Sequence, residues 1–170
     1  MSIRASQAAR DLLQKSKGKT PVNVKALAKS LNIPVIEEVY KDDISGMLVI
    51  REENAIISVN KKHHKNRQRF SIAHELGHYL LHGSEANVFI DKTKVFLRDK
   101  KSSEGTQLQE IEANGFAAEL LMPEALLKEK IIQKQLDLDD EEAVESLAKQ
   151  FKVSVQALTH RLIRLGIIAH

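Results

Sequence analysis

A chain of 170 residues can form one domain, or one domain with a small appendage, and a hydrophobic content of 42% is ample for a core. Cysteine is absent, which excludes disulfides and thiolate metal sites, so a bound metal must be held by nitrogen and oxygen. A net charge of +3 does not by itself imply nucleic acid, and with no apolar run at Met1-Ser2-Ile3-Arg4-Ala5 or of membrane-spanning length elsewhere, the expectation is a cytoplasmic protein.

Ala5, Ala8, Ala9, Leu12 and Leu13 recur at helical spacing and predict a first amphipathic helix ending before Gly18. Val22 to Leu31 predicts a second. From Pro34 to Val39 the chain turns extended. Ile44 to Ile50 and Ala55 to Val59 are strand-like, and the polar turn Arg51-Glu52-Glu53-Asn54 joins them as a hairpin. The edge of such a sheet suits a peptide bound as an added strand. The basic stretch from Lys61 to Arg69 reads as a solvated turn, with a lure for acidic segments as the functional reading.

The next helix carries the chemistry. His74-Glu75-Leu76-Gly77-His78 has the pattern H-E-x-x-H. Residues four apart share a helix face, so both imidazoles can reach one metal ion. Glu75 points from a neighbouring part of the surface and suits a general base. Arg69 to Ala73 leads in without Pro or Gly, and Gly83 closes the helix. His82 continues the histidine row, but a rise of 1.5 Å per residue sets it about 12 Å from His74, too far for a shared ion. It suits the C-terminal end of the helix dipole instead.

Val88-Phe89-Ile90 and Val95-Phe96-Leu97 read as short strands or an irregular lobe, and Lys100 to Gly105 as a flexible polar loop. Glu110 to Met122 predicts another helix, stopped by Pro123. Ala113, Gly115, Ala117 and Ala118 would let a second helix approach closely. Glu110 and Asn114 share a face, as a ligand carboxylate and a group that orients a ligand imidazole would. Glu112 lies about 200° around the helix from Glu110 and reads as a solvated charge. A hydrolytic centre also needs a donor to the oxyanion. Tyr, His or Arg could serve, Arg67 and Arg69 among them, and the sequence does not choose.

Leu147 to Leu158 has a helix-turn-helix look, with Ser154 as cap and Gly166 as stop. Leu27 to Val35 repeats the wording, with Pro34 in place of the cap. Leu147, Phe151, Val155, Leu158 and Leu162 are expected to be mostly buried. Arg161 and Arg164 supply the main positive charge of the last helix, which is otherwise rich in leucine and isoleucine. Direct DNA reading is therefore not the expected role.

The two long motifs, H-E-L-G-H-Y-L-L-H at residues 74–82 and E-x-E-A-N-x-F-A-A-E-L-L-M-P at 110–123, resemble the ImmA/IrrE family of bacterial and phage metallopeptidases. The resemblance covers most of the chain. It implies an α+β fold: a mainly helical, zincin-like core with a small antiparallel sheet over residues 1–138, and a C-terminal helical unit over 139–170. It also implies Zn²⁺ held by His74, His78 and Glu110, with Glu75 as catalytic base. The position of Asn114 is similar to that of an acidic residue supporting a ligand histidine in thermolysin-like peptidases; here the supporting group is neutral. Implied substrates are helix-turn-helix repressors or antitoxin partners. The alternative is a non-catalytic zinc-containing regulator that binds DNA or a partner protein through its C-terminal helices. Retention of Glu75 beside three protein ligands favours hydrolysis, since a structural zinc site has closed coordination.

Overall fold

The computed structural model describes residues 2–14, 20–41, 43–51, 54–83, 88–92 and 100–169. Its elements are α1 (Ile3–Gln14), α2 (Val24–Ser30), β1 (Val35–Glu38), β2 (Ile44–Arg51), β3 (Asn54–Asn60), α3 (Lys65–His82), β4 (Val88–Lys92), α4 (Lys100–Leu121), α5 (Glu124–Lys134), α6 (Glu141–Phe151) and α7 (Val155–Arg164). The fold is α+β, mainly helical, with one small sheet.

The sheet runs in the order β1-β3-β2-β4. β2 and β3 form the expected hairpin, with Leu48 opposite Ile57 and Arg51 opposite Asn54. β4 pairs antiparallel with the other side of β2. β1 joins β3 in parallel, Val35 opposite Ile57, so the sheet is mixed and not purely antiparallel as expected. The cause is topological. Two reversals separate β1 from β3, and the hairpin inserts β3 between β1 and β2. Leu48, Ile57 and Val59 are fully buried on the inner face, as a period of two requires when one face meets a core.

α3 is the central element. It packs against α4, α1 and α2 and against β2 and β3, and every residue from Ser71 to His78 is buried. A helix buried on all sides must meet its neighbours closely. A side chain at Gly77 would place its Cβ 3.1 Å from the Ala113 Cα and 3.1 Å from the Phe116 Cδ1 on α4. Of the small residues expected to permit close approach, Ala113 lies at this contact.

Three expectations need correction. Lys100 to Gly105 is the first part of α4, not a loop. Its polar composition carries no helical signal, but a helix already nucleated beyond it gains a hydrogen bond for each residue added. The basic stretch is only partly a turn: Lys65 to Arg69 opens α3, and the Gln68 Nε2 donates to the carbonyls of Lys61 and His63 at 3.1 and 2.8 Å. Val155 is 43% exposed. It is the first residue of α7 and faces outward, whereas Leu147, Phe151, Leu158 and Leu162 are fully buried. Val95-Phe96-Leu97 and Gly18 lie outside the described residues. α5, not foreseen, fully buries only Leu127, so its apolar pattern was thin.

α6 and α7 share one contiguous core with the rest of the chain. Ser154 caps α7 as predicted, accepting from the Ala157 N–H at 3.1 Å, and Gly166 follows it at φ +66°. Arg161 does not offer its charge to solvent. It is 2% exposed, donates to the Glu119 carboxylate on α4 and, through Nε, to the Met122 carbonyl at 3.2 Å. The start of α3 is tied to the same region. The Asn66 Nδ2 donates to the Val153 carbonyl at 3.0 Å, and Arg69 donates to the carbonyls of Val22 and Phe151 at 2.8 and 3.4 Å. Among the described residues no helix is long and apolar enough to cross a membrane.

Candidate metal centre

His74, Glu75 and His78 lie on the buried second half of α3, at 3%, 0% and 2% exposure. α4 crosses in front of them and brings Glu110 into reach. The His74 Nε2 and His78 Nε2 are 3.0 Å apart. The Glu110 carboxylate lies 3.3 Å from the first and 3.1 Å from the second. These three residues form a group able to hold a metal ion, with all ligand atoms within 4.8 Å of one another. The fit is specific. Tetrahedral ligands at Zn–N and Zn–O distances of 2.0–2.1 Å are about 3.3 Å from each other, close to the separations seen here. Two imidazoles and one carboxylate also form a donor set that zinc accepts, with room for a fourth ligand.

The His74 Nδ1–H donates to the Asn114 Oδ1 at 3.1 Å. With that proton placed, the Nε2 is the ring nitrogen turned toward the group, and it is the one that would ligate when it carries no proton. Phe70 stacks on the same imidazole, with centroids 6.3 Å apart. Burial works to raise the Glu110 carboxyl, but the hydrogen bonds and charge of His74 and His78 outweigh it and hold the group far below the usual carboxylate range. Glu110 is thus ionised at neutral pH.

Glu75 lies under the sheet. A Cβ added at Gly46 of β2 would stand 3.1 Å from the Glu75 Oε1 and 3.3 Å from the Ser71 Cβ. Glycine at that point of β2 leaves space for the carboxylate. This contact was not foreseen, because nothing in the strand pattern marks which glycine faces α3.

His82 stays outside the group, as the rise of the helix requires. It is buried, and its Nε2 lies 3.5 Å from the Glu112 Oε2. Glu112 is therefore not a solvated charge: its side chain is 12% exposed and faces α3 one turn beyond the first pair. The helical period of α4 alone does not reveal this, because the partner lies on α3 across the helix crossing. Of the two arginines weighed as oxyanion donors, Arg69 is committed to backbone carbonyls, including that of Lys152 at 3.3 Å. Arg67 donates to the Ser45 Oγ at 2.7 Å. A cavity of about 720 Å³ adjoins the group, lined in part by Phe70 and Asn114, which both touch His74.

Residues 28–163 match the Peptidase_M78 family model, described as IrrE N-terminal-like domain. The chain belongs to that family. A relative from Bacillus phage phi105, named "Uncharacterized immunity region protein 2", is 33% identical over 113 residues. The match covers 66% of this chain and 65% of the relative, so the chain spans slightly less than two thirds of that protein's length. A Mycobacterium tuberculosis transcriptional regulator has the same fold over 95% of this chain and 47% of its own, with a TM-score of 0.64 at 20% identity.

Proposed function

We propose that the chain is a zinc-dependent endopeptidase that cuts a protein substrate of the helix-turn-helix repressor or antitoxin type, in the cytoplasm, during phage or bacterial gene regulation. The observation that carries this reading is the convergence of His74, His78 and Glu110 beside the buried carboxylate of Glu75. Membership of a peptidase family supports the hydrolytic part. Similarity to a phage immunity region protein supports the setting in immunity regulation.

His74, His78 and Glu110 would hold the zinc, and Asn114 would fix the His74 tautomer. Zinc supplies Lewis acidity toward the peptide carbonyl and makes water a nucleophile near neutral pH. Glu75 takes a proton from the attacking water and passes it to the leaving amine nitrogen. The α6–α7 pair, residues 139–170, is read as a helical unit that packs on the core and contributes to substrate recognition. The regulator alternative loses one of its two main DNA-facing charges, since Arg161 is paired with Glu119 inside the protein.

Co-expression with the protein encoded beside it, followed by mass analysis of fragments, tests the reading. The wild-type chain is expected to cut its partner at a defined bond. Glu75→Gln should fold, keep its zinc and leave the partner intact. Cutting by that variant at the wild-type rate would remove Glu75 from the mechanism.

A further inference from the structure

The 720 Å³ cavity lies between α3, α4 and the length of α7 from Gln156 to Arg164. Its volume falls within the roughly 300–1,000 Å³ of binding pockets. Phe70, Met122, Val153 and Ala157 give it an apolar floor, while Arg67, His160 and Arg164 stand among its polar lining. The chain has 23 acidic residues, yet none lines this cavity among the described residues. Two lining residues also touch His74: Phe70 stacks on its ring and Asn114 accepts its Nδ1 proton. An occupant would therefore lie one side chain away from the candidate metal centre.

We propose that this cavity is the specificity pocket of the hydrolytic site, and that it takes an apolar side chain of the substrate protein flanked by acidic residues. The proposal rests on the peptidase reading and names the substrate segment for it. The apolar floor rewards burial of an aliphatic or aromatic side chain. The cationic rim favours acidic neighbours and repels basic ones. Because α7 supplies Ala157, His160 and Arg164 while α3 and α4 supply the metal group, this pocket gives the last helix a part in choosing the substrate. A phosphate backbone would use the rim but leave the apolar floor empty, so a peptide fits the lining better than nucleic acid does.

The test uses zinc-loaded Glu75→Gln protein and two fluorescein-labelled synthetic peptides. Both carry the same Leu-Phe-Leu centre, flanked in one by Glu and Asp and in the other by Lys and Arg. Anisotropy should show the acidic peptide binding about tenfold tighter, the equivalent of one favourable charge contact. Arg164→Glu, an exposed change, should abolish that preference. Ala157→Phe should fill the pocket and weaken both peptides about tenfold with zinc content unchanged. Equal binding of the two peptides, no binding of either, or wild-type binding by both second-site variants would overturn the proposal. So would a labelled DNA duplex that binds tighter than the acidic peptide and is lost in Arg164→Glu. An acidic preference in a protein that cuts no partner supports the pocket and counts against the peptidase reading alone. Cutting of the partner with unchanged kcat/KM in both Arg164→Glu and Ala157→Phe overturns the pocket and leaves that reading standing.

Discussion

Asn114 is a neutral residue at a position where a charged one would bind the imidazole proton more strongly. Its hydrogen bond to His74 sets a tautomer and adds little charge to the ligand set. Asn114→Ala should therefore weaken zinc affinity by roughly 10–100-fold without abolishing it, as competition with a chelator would measure. Unchanged affinity would mean that His74 needs no such support. Glu110 and Glu112 make a sharper contrast. Glu110→Ala should lose zinc, whereas Glu112→Ala should keep it and destabilise the fold through His82. Metal analysis beside thermal melting separates the two, and the reverse pattern would end the ligand assignment. These residues were legible because helical period alone puts His74 with His78 and Glu110 with Asn114. The contact between His82 and Glu112 was not, because it depends on how two helices cross.

At the scale of elements, α3 and α4 meet at Gly77 and Ala113, and the metal group sits beside that contact. Gly77→Ala would push a methyl group against the α4 backbone at 3.1 Å. Backbone cannot yield as a flexible side chain can, so the helices must part. A stability loss of about 1–3 kcal/mol is expected, together with weaker zinc binding, because Glu110 moves with α4. Urea unfolding and zinc titration on the same variant provide the check, and a stable variant with full affinity would show that the helices tolerate separation. The sequence revealed this pair by its small residues and the hairpin by its alternation. It concealed the first turns of α4 and the parallel pairing of β1. Both depend on what lies beyond the local window: a helix nucleus downstream in one case, the placement of β3 in the other.

For the whole molecule, the tie between Arg161 and Glu119 decides how the last helix relates to the rest. Both are buried to 2% exposure. Removing one partner of a buried pair strands the other charge and costs about 3–5 kcal/mol, whereas an apolar replacement of both can be nearly neutral. Arg161→Ala should therefore destabilise strongly. Arg161→Met combined with Glu119→Leu should recover most of the loss. Arg10, 3.7 Å from Glu119 and 47% exposed, offsets only part of it. If Arg161→Ala melts like the wild type, the pair does not secure α7. The sequence offered Arg161 as a surface charge because its partner lies 42 residues earlier, beyond any helical period.

That separation also sets an order of assembly. Synthesis delivers Glu119 well before Arg161, at about 5–20 residues per second. During that interval the Glu119 carboxylate on α4 has Arg10, at 3.7 Å, as its charged counterpart, and its burial is expected to be incomplete. The α3–α4 pair thus gains its tie to the last helix only after α7 has been made. A chain without α7 would carry both histidines and Glu110 yet lack the tie between Glu119 and Arg161. Under the proposed peptidase reading, late completion would delay activity until the helix that lines the cavity beside the metal centre is in place. A released chain truncated at Phe151 should be digested by added protease under conditions where the full chain resists. Equal resistance would show that α4 settles without the tie.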